Sequence, residues 1–326
     1  MKKLIFKHPF YSVASTALLF LLTFASCKKD DSANGGGSGG SGTAPTAISV
    51  TDAPIDDASV TGAFVTISDI QLDGQSVQGF TKTTVDLNAY QNGSLKTLGN
   101  FNLAGKIYSS ITFVLDFDKD AAGSSPGCYV VSNGGVKSKL QSTSNIVTVS
   151  KNFQLTNGVS STLVADFDLR KMIIHQTGGG ADKYDFVTAA EMSSSVRLVF
   201  ASATGTISGT LTDNVSGSGK VIAYAYKKGT FNRATEMQGQ GSSNIEFKNA
   251  VSSALVNGSG NYQLHFLESG DYEIHFVSYK DLHGDGEYEI VGTLIVIGGG
   301  GIDLLGLTVN ANATLTVNAT ATGVLP

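Results

Sequence analysis

The chain has 326 residues, of which 41% are hydrophobic and 15% charged, with 39 Gly, 5 Pro, 2 Cys and no Trp. So few charges and so much Gly exclude a long-helix or coiled-coil protein. Scarce Pro and aperiodic Gly exclude collagen, while the apolar content, with 11 Tyr and 17 Phe, excludes wholesale disorder. The composition points to many short strands joined by tight turns, in a chain long enough for two domains.

Residues 1–11 carry Lys2, Lys3 and Lys7 and no acid, and residues 12–24 form an uncharged apolar run leading to Ala25-Ser26-Cys27. This is the order of a secretory signal, and the run is shorter than the ~20 residues of a transmembrane helix. Small residues before a Cys resemble the bacterial lipobox, which makes Cys27 the expected lipidation site and 1–26 the removed signal peptide. Phe24 departs from the usual Leu, as the looser Bacteroidota versions do. Lys28-Lys29-Asp30-Asp31 looks like the Lys-then-acid signal that sends Bacteroidota lipoproteins to the outer face of the outer membrane. The expected location is therefore the outer membrane, with the protein anchored by bis- or tri-acylation at Cys27 and facing the exterior. Residues 27–45, including SANGGGSGGSG at 32–42, read as a flexible tether.

Loss of residues 1–26 removes three lysines and no acid, so the formal charge moves from −5 to −8. An acidic chain without a basic patch is not expected to bind nucleic acid. Once Cys27 is modified, Cys128 is alone and an intrachain disulfide is excluded.

From residue 46 onward, apolar residues alternate in runs bounded by Gly, Asn, Ser and Asp. Strands are expected at Ile48/Val50, Phe64 to Leu72, Thr84 to Leu87, Ile111 to Leu115, Ile146 to Val149, Leu163 to Phe167 and Val196 to Phe200. Short helices are expected around 88–98 and 186–193. Beyond Gly205, further strands are expected at 206–211, 221–226, 259–264 and 267–274. Tyr262, Leu264 and Phe266 alternate on one of these, and Tyr272, Ile274 and Phe276 on the next, so each offers an apolar face to a shared core. Ile290 to Ile297 reads as a buried strand, with 302–310 and 313–319 completing the last sheet. The fold class is all-β, with two β-sandwich domains at 46–203 and 204–326.

Two resemblances follow from these segments. Ser49-Val50-Thr51-Asp52-Ala53-Pro54, Ile67-Ser68-Asp69-Ile70, Val85-Asp86-Leu87 before Gln91-Asn92-Gly93, Ala104-Gly105-Lys106-Ile107-Tyr108 and Asp166-Phe167-Asp168-Leu169-Arg170-Lys171 together resemble the domain-of-unknown-function 4382 family over roughly 46–200. That resemblance implies a bacterial envelope lipoprotein module and no activity. The order G-x-I-x-G, V-x-A-Y, then G-x-Y-x-L-x-x-L-x-x-G-x-Y-x-I resembles the carboxypeptidase-regulatory-like, transthyretin-like module. Such modules serve as stalks, spacers or binding platforms.

Four groups of residues invite chemistry. Asp281, His283, Asp285, Glu287 and Glu289 place oxygen and nitrogen donors at alternate positions around a bend and could wrap calcium. The same Asp285-Gly286 is also a strong hairpin dipeptide. His265 and His275 could ligate zinc or copper if their strands pair, and face solvent on opposite sides if the connection crosses between sheets. Asp116/Asp118 and Asp166/Asp168 resemble the carboxylate pairs of acid–base hydrolases, yet Asp-x-Asp on a strand sends both groups to one face. Asp52, Asp56 and Asp57 read as a polar turn after the first strand.

No Gly-x-Ser-x-Gly elbow, His-Glu-x-x-His helix or Cys-His pairing occurs, so no catalytic residue and no cofactor other than calcium is expected. The functional expectation is a non-enzymatic surface module for adhesion, binding or assembly, with a glycan or protein partner. A calcium-dependent carbohydrate- or polymer-binding protein is the alternative, and an acid–base hydrolase the least favoured.

Overall fold

The computed structural model describes residues 42–53, 60–132, 134–176, 183–215, 217, 219–283 and 288–326. Cys27 and the tether up to residue 41, Asp56, Asp57, Asp285 and Glu287 lie outside them, whereas the last residues assigned to the tether, Thr43, Ala44 and Pro45, already pair with another strand and belong to the first strand of the fold. Ser41–Pro326 form one compact unit.

The first half comprises β1 (Thr43–Ala53), β2 (Val60–Leu72), β3 (Gln75–Ser76), β4 (Thr83–Asp86), β5 (Lys96–Ala104), β6 (Ile107–Leu115) and β7 (Tyr129–Ser132). It continues through β8 (Lys137–Lys139), β9 (Ile146–Gln154), β10 (Ser161–Asp168), the helical turn α1 (Leu169–Met172), β11 (Ile173–Gln176), β12 (Lys183–Phe186), α2 (Ala189–Ser194) and β13 (Val196–Phe200). One sheet runs β13-β10-β1-β5, and the other runs β8-β7-β2-β6-β9 with β3 and β4 also on β2. β1 and β10 are parallel neighbours, whereas β5 and β13 pair antiparallel to them. Alternation does the rest: Ile48, Val50, Leu163 and Phe167 from one sheet meet Val65, Ile67, Ile111 and Phe113 from the other in a single core. Phe113 and Phe167 meet edge to face at 5.3 Å.

The second half comprises β14 (Thr204–Asp213), β15 (Lys220–Lys227), the helical turn α3 (Arg233–Glu236), β16 (Ser252–Val256), β17 (Asn261–Glu268) and β18 (Gly270–Lys280). β19 (Glu289–Gly298), β20 (Leu307–Val309), β21 (Thr314–Thr316) and β22 (Ala319–Leu325) complete it. These strands form one mixed sheet in the order β16-β15-β18-β19-β22-β14-β17, with β20 on β18 and β21 on β14. The sheet curls so that β16 lies against β17, closing around Leu211, Tyr262, Leu264, Tyr272, Ile274 and Phe276.

β15 is buried on both faces and accordingly reads as a continuous apolar run. Val221, Ala223 and Ala225 face this core, while Ile222, Tyr224 and Tyr226 face a smaller one with Phe247, Ala250, Val277 and Tyr279. The segment 231–250, which carries α3, covers that smaller core. Tyr224 stacks on Phe247 at 4.5 Å, and the Tyr226 hydroxyl donates to Glu236 at 2.9 Å.

Several expectations are corrected. No helix forms over 88–98: Leu87–Ala89 make one 3-10 turn, Asn92 and Gly93 take positive φ (54° and 80°), and Lys96–Ala104 join the free side of β1 as β5. The helix expected at 186–193 is α2, opened by a Thr188–Glu191 capping box. Phe266 leaves the alternation because it sits at φ 55° in a bulge, so Leu267 takes the core position instead. β19 is buried at Thr293 and Leu294, but Ile295 and Ile297 are 45% and 62% exposed. The last sheet closes with β22, beyond the expected 313–319. Asp52 lies within β1, paired with Phe167 of β10, and is buried, so it is not a turn residue.

Candidate functional site

The polar groups of interest gather where the two halves meet. β10 and β13 place Asp166 directly opposite Arg197, and the Arg197 Nη2 lies 2.5 Å from Asp166 Oδ2. Two residues along, on the same face, Asp168 Oδ2 holds Arg170 Nη2 and Lys171 Nζ, each at 3.0 Å. The pairing follows from local structure: the chain turns into α1 straight after Asp168, which brings the next two cations back onto it. Burial alone would raise the Asp168 carboxyl, but Arg170 and Lys171 hold it below the ordinary carboxylate range. Burial likewise lowers the Lys171 ammonium, against the pull of Asp168.

All three cations also reach the second half. Arg170 donates to the Glu246 carbonyl at 2.6 Å, Lys171 to the Ala250 carbonyl at 2.5 Å, and Arg197 to the Phe266 carbonyl that the bulge turns outward. The Arg170 guanidinium lies 5.2 Å above the Tyr224 ring. Ile245 enters the first core, and Ser243 donates to Glu191 at 2.6 Å. A cleft of about 390 Å³ lined by Lys151, Asp166, Asp168, Lys171, Arg197 and Asn249 opens along this seam.

A smaller cavity of about 20 Å³ lies on the seam between Thr51, Asp52, Asn92 and Asp166 on one side and Ser252, Ser253, Gln263 and His265 on the other. His265 lies against Gly93, where a Cβ would come within 2.6 Å of its Nδ1, and burial lowers its pKa.

The expected sites fall as follows. Asp116 and Asp118 lie past the end of β6 rather than on a strand. Asp116 accepts the N–H of Asp118 and Lys119 at 2.9 Å each and pairs with Lys82 at 2.8 Å, while Asp118 pairs with Lys139 at 2.7 Å. Asp166 and Asp168 do share one face, which is covered and carries their counter-ions.

His265 and His275 are on strands that do not pair with each other, and neither faces open solvent. His265 contacts Thr206 Oγ1 at 3.3 Å. His275 stacks on Phe231 at 3.7 Å, 3.6 Å from Glu273 Oε2. The connection between their strands is fastened by the Tyr272 hydroxyl, which donates to the Glu268 carbonyl at 2.7 Å.

In the loop at 281–289, Glu289 accepts the Leu282 N–H at 2.9 Å and bonds His283 Nδ1, and both interactions lower its pKa. Asp281 is half-buried, and the remaining acids of this loop lie outside the described residues.

Sequence reasoning took Asp52 for a turn residue and missed Arg197, Glu191 and the whole 231–250 segment. The one readable signal was the alternating charge of Asp166-Phe167-Asp168-Leu169-Arg170-Lys171, in which cations two and three residues past an acid can fold back on it.

No helix among the described residues is long and apolar enough to cross a membrane. No curated protein matches the chain. Among solved structures, the Bacillus anthracis TIE protein is 11% identical with a TM-score of 0.19, covering 86% of this chain and 34% of its own. This chain therefore spans about a third of that protein. The major pilin subunit BcpA of Bacillus cereus is 9% identical with a TM-score of 0.20, covering 85% of this chain and 69% of its own. The minor pilin of Streptococcus agalactiae is 11% identical with a TM-score of 0.21, covering 86% and 97%. Residues 43–187, the greater part of the first half, match the family model described as a domain of unknown function, DUF4382.

Proposed function

We propose that the protein is a non-catalytic, lipid-anchored module of the outer membrane, displayed outward for adhesion, binding or assembly with a surface glycan or protein. One observation carries the non-catalytic part. Asp166 and Asp168, the carboxylate pair best placed for acid–base chemistry, are committed to Arg197, Arg170 and Lys171 in a seam between two β modules. A general acid or base needs a carboxyl free to exchange a proton with substrate. Here the pair holds the three cations that fasten one half of the molecule to the other.

The anchor rests on the signal-like residues 1–26, Cys27 and the Gly/Ser tether. A carboxypeptidase-regulatory-like role for 204–326, as spacer or platform, accords with a second half fixed to the first by several polar bonds.

The test is fractionation and protease shaving of cells that express the natural chain or Cys27→Ser. The natural chain should sediment with outer membranes and be cut by protease added to intact cells, and Cys27→Ser should be released. Membrane retention of Cys27→Ser would remove the lipid anchor, and an uncut natural chain would remove the outward orientation.

A further inference from the structure

Among the described residues, each aspartate that lies deep in the seam has a charged partner except Asp52. Arg197 serves Asp166, and Arg170 and Lys171 serve Asp168. Asp52 is 5% exposed; its Oδ1 accepts the Leu169 N–H at 3.2 Å, and its Oδ2 has no hydrogen-bond partner. It lines the 20 Å³ cavity together with Ser253, also 5% exposed, whose Oγ likewise has no partner. The two orphaned groups come from opposite halves of the molecule. The cavity is the size of a single water, too small to solvate a carboxylate.

Among the described residues, the titratable groups beside Asp52 are Asp166 and Asp168 from β10 and His265 from β17, with Arg170 and Lys171 of α1 and Arg197 of β13 reaching those two acids. β16 adds only the hydroxyls of Ser252 and Ser253. The cations are drawn to the other two acids and to carbonyls of the second half, leaving Asp52 beside like charges. A buried carboxylate without a counter-ion is costly, and the neutral acid is the form such a site retains.

We propose that Asp52 is a proton-binding site of the module junction: as a neutral acid it seats against Ser253, and its ionisation loosens the second half from the first. Burial pushes the Asp52 carboxyl well above the ordinary carboxylate range, and Asp168 and Asp166 add to this against the lowering effect of the Leu169 N–H and the Gln91 side chain. The protonated form therefore favours the folded junction. Its contribution is complete below the unfolded carboxyl pKa of ~3.9 and is lost as pH rises through the elevated folded value.

The experiment compares the purified mature chain with Asp52→Asn, which keeps the shape and stays neutral, and with Ser253→Ala. Infrared difference spectra at neutral pH should show a protonated carboxyl band in the natural chain that Asp52→Asn lacks. In thermal scans from about pH 5 to pH 9, Asp52→Asn should gain Tm relative to the natural chain as pH rises, whereas the offset of Ser253→Ala should stay constant. A missing band, or an Asp52→Asn offset independent of pH, would overturn the proposal. If Asp52→Asn does not fold, carbon-13 titration of aspartate carboxyls in the natural chain decides alone: no carboxyl titrating above the ordinary range near ~4 overturns it.

Discussion

Arg197 on β13 donates to the backbone carbonyl of Phe266 on β17, so one side chain of the first half reads the backbone of the second. The contact depends on the bulge: with regular alternation, the Phe266 carbonyl would stay in the β14 ladder. Arg197 also neutralises Asp166, whose side chain is only 9% exposed. Removing one member of such a pair leaves the other buried and uncompensated. Arg197→Ala should therefore cost about 3 kcal/mol in denaturant unfolding, whereas Arg197→Ala combined with Asp166→Ala should cost less than the sum of the two single changes. Strict additivity would show that the pair is not coupled.

Gly209 sits where β14 exchanges one parallel partner for another. Thr206–Ser208 pair with β21, and Leu211–Asp213 pair with β22. A Cβ on Gly209 would fall 1.7 Å from the Val317 carbonyl oxygen, in a crossing made of backbone on both sides. Neither chain can yield by a side-chain rotation. Gly209→Ala should cost about 3 kcal/mol or more, read as a lowered denaturation midpoint. Gly258→Ala, where a Cβ would meet nothing within 4 Å, is the matched control and should change the midpoint little.

Strand identity was legible wherever one face alone is buried, because a period of two is then printed in the residues. Val147/Val149 and Tyr262/Leu264 are such cases. The seam was illegible for a physical reason: its partners lie far apart in the chain, and three of its acceptors are backbone carbonyls that carry no residue signature. Asp52 reads as a turn residue because Asp-x-Pro is turn chemistry, and its burial comes from residues distant in the chain, among them Leu169, Ser253 and His265. Phe266 shows the same limit, since a single bulge reverses which of Phe266 and Leu267 enters the core. The segment 231–250 has almost no regular structure, so periodicity could not show that it supplies Ile245 to one core and Phe247 to another.

Glu191 is one of the carboxyls whose depressed pKa contributes to the acid limb of stability. Burial would raise its carboxyl, but Ser243, Thr188 and their backbone N–H groups hold it near about 2. A depressed carboxyl contributes above its unfolded pKa of ~4.3 and loses that contribution as pH falls toward the folded value. Glu191→Gln should thus cost about 2 kcal/mol at pH 7, as expected for charge-assisted hydrogen bonds, and the difference should shrink as pH is lowered through about 4 to 2. Thermal scans across that range check it. A gap that persists undiminished at the acid end would mean that the ionised form is not what the fold favours.

Cys128 is fully buried, its Sγ accepting the Thr66 N–H and its S–H facing the Asp116 carbonyl, each at 3.4 Å. Burial pushes its thiol up to about 12, so almost no thiolate exists near neutrality. In the Cys27→Ser chain it is the sole thiol. Labelling with a thiol reagent near pH 8 should therefore be negligible in the folded chain and stoichiometric in denaturant. The small native rate should rise with sub-denaturing urea in step with the opening of the first core, since only the opened chain exposes the sulfur. Arg197→Ala acts on the seam and on β13, which pairs with β10, whereas Cys128 immediately precedes β7 of the opposite sheet, beside Thr66 of β2. If the first half unfolds as one unit, Arg197→Ala should accelerate labelling by the factor that its measured destabilisation predicts, about tenfold for each 1.4 kcal/mol. Rapid stoichiometric labelling of the folded chain would contradict the burial of Cys128.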